Sequence, residues 1–256
     1  GEIFKDVLET FRNLEGYEIK SKLVYAKDYG VPQNRPRILI IGIKKKLLKK
    51  DNLSPDALEG GFLPNPTNDY PNLEDVLSDL IDQSYENGGS TDIYLSEPKS
   101  SWQKLIRSNE FSGEFLSKGD QLNEHKYSNH SESVKNRFEY MIENNGAIPN
   151  TYKTKKFAQR VLPKKWNDKG PNITACSLAD DFVHFSQPRS LTVREWARLQ
   201  TFPDWYLFAG KRTTGGIRRA GNPRESIFDR ELPKYTQIGN AVPVKLGKCS
   251  FCHSYI

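Results

Sequence analysis

RSLTVREWARLQTFP, Arg189–Pro203, carries its own start and stop signals. Ser190 or Thr192 can cap a helix here. Glu195 follows Thr192 by three residues, the spacing at which a hydroxyl and a carboxylate satisfy each other's backbone N–H groups. Trp196, Leu199 and Gln200 continue the helix, and Thr201-Phe202-Pro203 ends it. Further on, YTQIGNAVP, Tyr235–Pro243, reads as a turn that opens another helix. Gly239-Asn240 allows left-handed backbone angles, and Pro243 suits the first turn of the helix behind it.

Outward from these segments, regular structure also marks the N-terminal end. Glu2–Leu14 is apolar at Ile3, Phe4, Val7, Leu8, Phe11 and Leu14, a helical spacing that predicts one buried face. Gly16 stops it. Tyr17–Tyr25 alternates as a strand, Tyr29-Gly30-Val31-Pro32 breaks it, and Arg37–Ile43 forms a second strand. That strand is apolar on both sides, which predicts cover on both faces. Helix, strand, turn and strand suit the end of an open α/β sheet with an antiparallel final hairpin.

From about Lys44 the composition shifts to Asn, Ser, Asp, Gly and Pro, and the periodicity weakens. Leu73–Ile81 and Val134–Ile142 are short helix candidates. Glu132 lies just ahead of the second, where its charge suits a helix N-terminus. Trp102, Phe111, Phe115, Phe138, Phe157 and Trp166 are scattered, enough for a small irregular core. Regular structure returns near Pro188.

The chain has 256 residues, 36% hydrophobic and 11% aromatic, enough to bury a core. No apolar run approaches the roughly 18 residues that span a bilayer. The net charge is +6, from 38 basic and 32 acidic residues. Two runs concentrate it without any acid: Lys153–Lys165 with Lys155, Arg160 and Lys164, and Lys211–Arg224 with Arg218 and Arg219. A third, Lys44–Lys50, reads as an exposed strand end. Three unevenly spaced cysteines make no disulfide framework. Cys249-Ser250-Phe251-Cys252-His253 spells a haem-attachment pattern, but no secretory context or axial partner supports it. Zinc needs further ligands from elsewhere. A terminal helix with two cysteines is the simpler reading.

Gly30-Val31-Pro32-Gln33-Asn34-Arg35-Pro36-Arg37 adds a polar block in front of the second strand. Two prolines stiffen it and exclude a helix. In extended chain Arg35 and Arg37 project to the same side. Gln33 and two guanidiniums then form a rigid donor array for a phosphate or a base oxygen. An ordinary turn with solvated arginines is the competing reading.

Together these blocks resemble the DNA cytosine-5 methyltransferase family. Gln33-x-Arg35-x-Arg37, the Arg189 helix and the Gly239-Asn240-Ala241-Val242-Pro243 stretch match in order and spacing. Weaker similarity touches Glu124–Arg137, Pro171–Ala175 and Asp181–Arg189, so the resemblance covers about residues 1–45 and 120–245. The interval Lys46–Leu116 has no legible pattern. By this resemblance Arg37 touches a flipped cytosine and helps polarise its ring. Arg35 holds the DNA backbone or organises the catalytic loop, and Gln33 supports both. Asn240 and Val242 line an S-adenosylmethionine pocket. Arg189, Arg194 and Glu195 are structural. Lys155, Arg160, Lys164, Arg218 and Arg219 are the candidate DNA contacts.

The implied fold is α/β: the C-terminal part of a Rossmann-like class I methyltransferase sheet with a smaller irregular α+β target-recognition domain. The expected units are residues 1–46, the end of the catalytic domain; 47–188, target recognition; and 189–256, the linking helix and return. The implied function is methyl transfer from S-adenosylmethionine to C5 of a flipped cytosine in double-stranded DNA. The expected setting is a bacterial, cytoplasmic restriction–modification system with no membrane. That chemistry needs a thiolate at C6 and a carboxyl group at N3. The family's thiol sits in a Pro-Cys pair, whereas these cysteines follow Ala175, Lys248 and Phe251. Cys176 reads as a buried small residue. The family's Glu-Asn-Val and Phe-x-Gly-x-Gly are absent too. Glu86-Asn87 continues to Gly88, and Phe111-Ser112-Gly113-Glu114-Phe115 lacks the last glycine. The expectation is a chain inactive alone, with an incomplete cofactor pocket, that works with an N-terminal half of the enzyme. A stand-alone DNA-binding module and a transfer-RNA methyltransferase are the alternatives.

Overall fold

A computed structural model describes residues 2–50, 66–67, 69–152, 159–167, 170–173, 181–213 and 232–252. Helix α1 (Glu2–Arg12) leads into strand β1 (Tyr17–Tyr25). A 3-10 turn at Ala26–Tyr29 and a left-handed Gly30 (φ 68°) then return the chain as β2 (Pro36–Lys44), followed by α2 (Lys45–Lys50). A side chain at Gly30 would meet the Lys245 ammonium, so glycine answers both the backbone angle and the close approach. The strands pair antiparallel from Tyr17 opposite Lys44 to Tyr25 opposite Pro36, the hairpin expected from the sequence.

One face of this hairpin is covered. Val24 and Leu39 pack with Ala26, Tyr29 and Val31 against Leu246 of the last helix. Two expectations of burial fail at this end. Leu23 and Ile38, paired across the opposite face, are 54% and 48% exposed. Helix α1 has its predicted apolar stripe but buries none of it; Ile3 is 81% exposed. Periodicity reports that a face is apolar, not that this chain supplies its cover.

The main core lies elsewhere. It includes α3 (Leu73–Leu77) and the 3-10 turn Ser78–Leu80, where the sequence suggests a short helix over Leu73–Ile81, with Trp102 of α4 (Ser101–Arg107) packed against it. Helix α5 (Glu132–Glu143) packs Phe138 and Met141 against Val183, in a satellite cluster. Short strands β3 (Arg160–Val161) and β4 (Phe182–Val183) pair in parallel. Isolated bridges such as Ile93 to Gln121 complete the irregular region. Phe111 and Phe115 do not join the core, as their apolar character suggests; Phe111 is 88% exposed.

At the centre stands α6 (Val193–Leu199), every residue of which is buried. The expected capping box forms. Thr192 Oγ1 accepts from the Glu195 amide at 3.2 Å, and a Glu195 carboxylate oxygen accepts from the Thr192 amide at 2.8 Å. Trp196 meets Phe182 edge-on and sits among Leu73, Leu77 and Ile238. A helix that reads as a connector is thus the axis of the core. Helices α7 (Lys234–Asn240) and α8 (Val244–Cys252) close the described chain. The expected left-handed turn at Gly239-Asn240 is not present. Both residues are helical, and α7 ends at an extended Ala241. The left-handed residue is instead Thr201, φ 61°, at the end of α6. That angle is strained for a β-branched side chain. It is held because Thr201 Oγ1 accepts the Lys245 amide at 2.9 Å, tying the start of α8 to the end of α6.

Candidate functional site

Residues far apart in sequence meet where β2 begins. Gln33 is fully buried, and its amide donates to the Leu199 carbonyl at 3.0 Å and to the Gln200 side-chain oxygen. The Gln200 amide in turn donates to the carbonyls of Ile238 at 2.9 Å and Ala241 at 2.6 Å. Arg35 is also buried. Its guanidinium donates to the Gly239 carbonyl at 2.6 Å and to the Ile173 carbonyl. The polar block before β2, the end of α6 and the end of α7 therefore share one dry hydrogen-bond hub. The last carbonyls of a helix run short of backbone donors, and side-chain donors gather here although the Ile238 carbonyl also accepts from the Ala241 amide at 3.3 Å.

Arg35 and Arg37 have different surroundings. Arg35 is spent on the interior. Arg37 is half-buried on β2, opposite Val24, with one bond to the Pro36 carbonyl at 2.7 Å. Burial lowers its pKa, yet the group stays charged. It is the one member of the predicted trio whose donors are not spent in the hub. Asn240 is the last residue of α7 and Val242 lies on the turn to α8; both are exposed, Val242 at 55%. An amide and an isopropyl group are thus presented to solvent, and the hub holds the Ile238 and Ala241 carbonyls beneath them.

The structural reading of Arg189, Arg194 and Glu195 agrees with the geometry. Arg189 bonds both Glu195 oxygens at 2.7 and 2.8 Å. Burial pushes the Glu195 carboxyl up, but the Arg189 charge more than offsets it and holds the group well below the carboxylate range. Burial, with Arg189 adding to it, lowers His184 to about 3. Burial lowers His125 to about 4, its ring placed between Thr192 Oγ1 and the Leu80 carbonyl. Arg194 spends its donors on the carbonyls of Asn123, Pro203 and Tyr206.

Sequence reading missed a second buried cluster. Arg198 binds Asp204 at 2.6 and 3.0 Å and also grips Asp79, which Arg107 holds at 2.6 and 2.9 Å. Tyr94 donates to Asp204 at 2.7 Å. These five side chains are all buried and lock the 3-10 turn after α3 to α4 and α6. No sequence signal marks them, because each is an ordinary charged residue until the fold removes water.

Of the candidate DNA contacts, Arg160 is exposed on β3 with its guanidinium 4.6 Å above the Phe182 ring. Lys164 is exposed, and its carbonyl accepts from the Glu74 amide at 2.9 Å. Lys155, Arg218 and Arg219 lie outside the described residues, as do Cys176, Phe157 and His253. Cys249 is half-buried beside the Val24–Leu246 cluster. A largely apolar cleft of about 910 Å³ opens between Trp102, Phe111, Pro203 and Trp205 on one side and Val244 and Cys249 of α8 on the other. Among the described residues, no group of three or more His, Cys, Asp or Glu could hold a metal, and no helix is long and apolar enough to cross a membrane.

The fold is shared with part of a solved structure. That structure, named as a putative DNA modification methyltransferase encoded within a prophage (E. coli), superposes with a TM-score of 0.64 and 22% identity, over all of this chain and 65% of that one. The chain itself belongs to the C-5 cytosine-specific DNA methylase family, which matches residues 1–250. Among its relatives, the type II methyltransferase M.DdeI of Desulfomicrobium norvegicum is 30% identical over 262 residues, 95% of this chain and 56% of that protein. M.BsuRI of Bacillus subtilis is 30% identical over 253 residues, 97% of this chain and 44% of that protein. The chain spans about half the length of the curated relatives it matches.

Proposed function

We propose that this chain is the C-terminal, target-recognising part of a DNA cytosine-5 methyltransferase of a restriction–modification system. On this reading it acts with an N-terminal portion to transfer methyl to C5 of a flipped cytosine. The single observation that carries the reading is the hub. Gln33 and Arg35, the end of α6, and the carbonyls beneath Asn240 and Val242 are held together by buried bonds. On this reading the hub joins the family's scattered blocks beneath one working surface. Residues 1–46 end the catalytic domain, 47–188 read the target, and 189–256 link back.

Arg37 is the group aimed at the base. Partial burial strengthens its field, and its fork of donors can hold the exocyclic carbonyl oxygen of the base as charge develops there. Arg35 acts as a positioning residue beneath it. Asn240 and Val242 would hold S-adenosylmethionine from one side; when bound, it supplies the methyl group. The thiol and the carboxyl group come from the N-terminal portion. The open stripe of α1, the bare face of the hairpin and the apolar cleft at α8 are the surfaces such a portion would cover.

The test is transfer of tritiated methyl from labelled S-adenosylmethionine to DNA. The chain is assayed alone and co-expressed with the coding sequence upstream of Gly1. Transfer to cytosine only in the co-expressed sample supports the reading. Sequence-specific DNA binding without transfer in either sample makes the chain a binding module. Transfer to transfer RNA but not DNA moves the substrate.

A further inference from the structure

We propose that Gln200 is a positioning residue for methyl transfer: through its one side chain the recognition core fixes both the Arg37 strand and the Asn240–Val242 turn. This rests on reading the chain as part of a cytosine-5 methyltransferase. The argument begins with what a glutamine amide offers, two donors and one acceptor group. All are spent, in two directions. The oxygen accepts from Gln33, four residues before Arg37 on the same stiff, proline-bounded segment. Both donor bonds go to the Ile238 and Ala241 carbonyls, which flank Gly239 and Asn240. The backbone repeats the pattern, since the Gln200 carbonyl accepts from the Val244 amide at 3.2 Å.

Gln200 itself cannot drift. It follows α6, and that helix is locked by its capping box, by Arg189–Glu195 and by Arg198 with Asp79 and Asp204. The residue is fully buried, so no water can replace a lost bond in place. Glutamine is also the residue type the position demands. Glutamate keeps the acceptor for Gln33 but loses both donors, and methionine keeps neither. The two substitutions therefore separate the arms. Displacements on the order of 1 Å at a reacting group cost about a hundredfold in rate. Releasing either arm should be felt in kcat.

The experiment compares wild type, Gln200→Glu and Gln200→Met in the co-expressed enzyme, measuring kcat and KM for DNA per folded molecule. Amide hydrogen exchange is followed in parallel on the chain alone. Gln33→Met, which cuts only the strand arm, is the third variant. The expected result is a fall in kcat of about tenfold to a hundredfold for Gln200→Met, with KM for DNA changed by less than about threefold. Exchange at Ala241 and Val244 should quicken at least about tenfold, while Val76 in α3 stays protected. A merely structural role gives uniformly faster exchange and an unchanged kcat per folded molecule, and overturns the proposal. If the wild-type enzyme transfers no methyl, the reading of function fails first. The exchange arm then decides the coupling alone: unchanged exchange at Ala241 and Val244 in Gln200→Met overturns it.

Discussion

Arg35→Met divides a residue that holds the fold from one that holds DNA. The Arg35 guanidinium is buried and donates to the carbonyls of Gly239 at 2.6 Å and Ile173. Each such charge-assisted bond contributes about 1.5–3 kcal/mol, and a stranded buried acceptor costs about 1–3 kcal/mol. Methionine refills most of the volume and removes the burden of a buried charge. Among the described residues the Nε atom has no bond partner, so its loss costs little. The net expectation is a destabilisation of about 2–4 kcal/mol, a large part of the total of about 5–15 kcal/mol usual for a domain. Urea unfolding should show it as a midpoint lower by about 1–2 M at an unchanged slope near 2 kcal/mol/M. The dependence of DNA affinity on salt should keep its slope, because an interior group neutralises no phosphate. Arg37→Met, at a half-buried position with one backbone bond, should stay within about 1 kcal/mol of wild type. If Arg35→Met leaves the midpoint in place and lowers the salt slope by about 0.9, Arg35 meets a phosphate and the argument fails.

Three further outcomes follow from the same geometry. Arg198→Met strands Asp79 and Asp204 in a dry site and should cost about 3–5 kcal/mol, toward the low end because Arg107 and Tyr94 still hold the two carboxylates; a urea midpoint worth less than about 1 kcal/mol would contradict it. His125 and His184 are held neutral with pKa values of about 4 and 3, so below about pH 6.5 the unfolded chain binds protons that the folded chain refuses. Stability should therefore fall as pH drops from about 6.5 toward 4, by roughly 1.4 kcal/mol per pH unit for each histidine. Glu195 and Asp204, both depressed, add further loss below about pH 4.3; equal melting temperatures at pH 7 and pH 5 would sink the assignment. Arg160→Ala should weaken binding to many DNA sequences alike and reduce the salt slope by about 0.9. It removes one cation–π contact worth about 0.5–1 kcal/mol, and an unchanged slope takes Arg160 off the DNA path.

How much was legible follows from the range of the interactions. The capping box of Thr192 and Glu195 was readable because both partners lie within one turn. The β1–β2 hairpin was readable because Pro32 and Pro36 leave little but extended chain, and alternation supplies the pairing. Exposure was not: the stripe of α1 is apolar whether or not anything covers it. The turn at Gly239-Asn240 was misjudged because glycine permits a left-handed angle without requiring it. The angle fell to Thr201, where the amide of Lys245 fixes it from 44 residues away.

By itself the sequence determined the family, the helix that carries the core, and the residue types that gather at the candidate site. Those are local patterns, set by backbone stereochemistry and by spacing along one chain. Only the tertiary structure decided that Arg35 faces inward while Arg37 keeps its donors, that Gln200 joins two distant segments, and that Asp79, Arg107, Arg198 and Asp204 form one buried network. The physical reason is desolvation. A charge or an amide has no fixed role until the fold takes water away from it, and the partners that replace that water here lie from 6 to 204 residues along the chain.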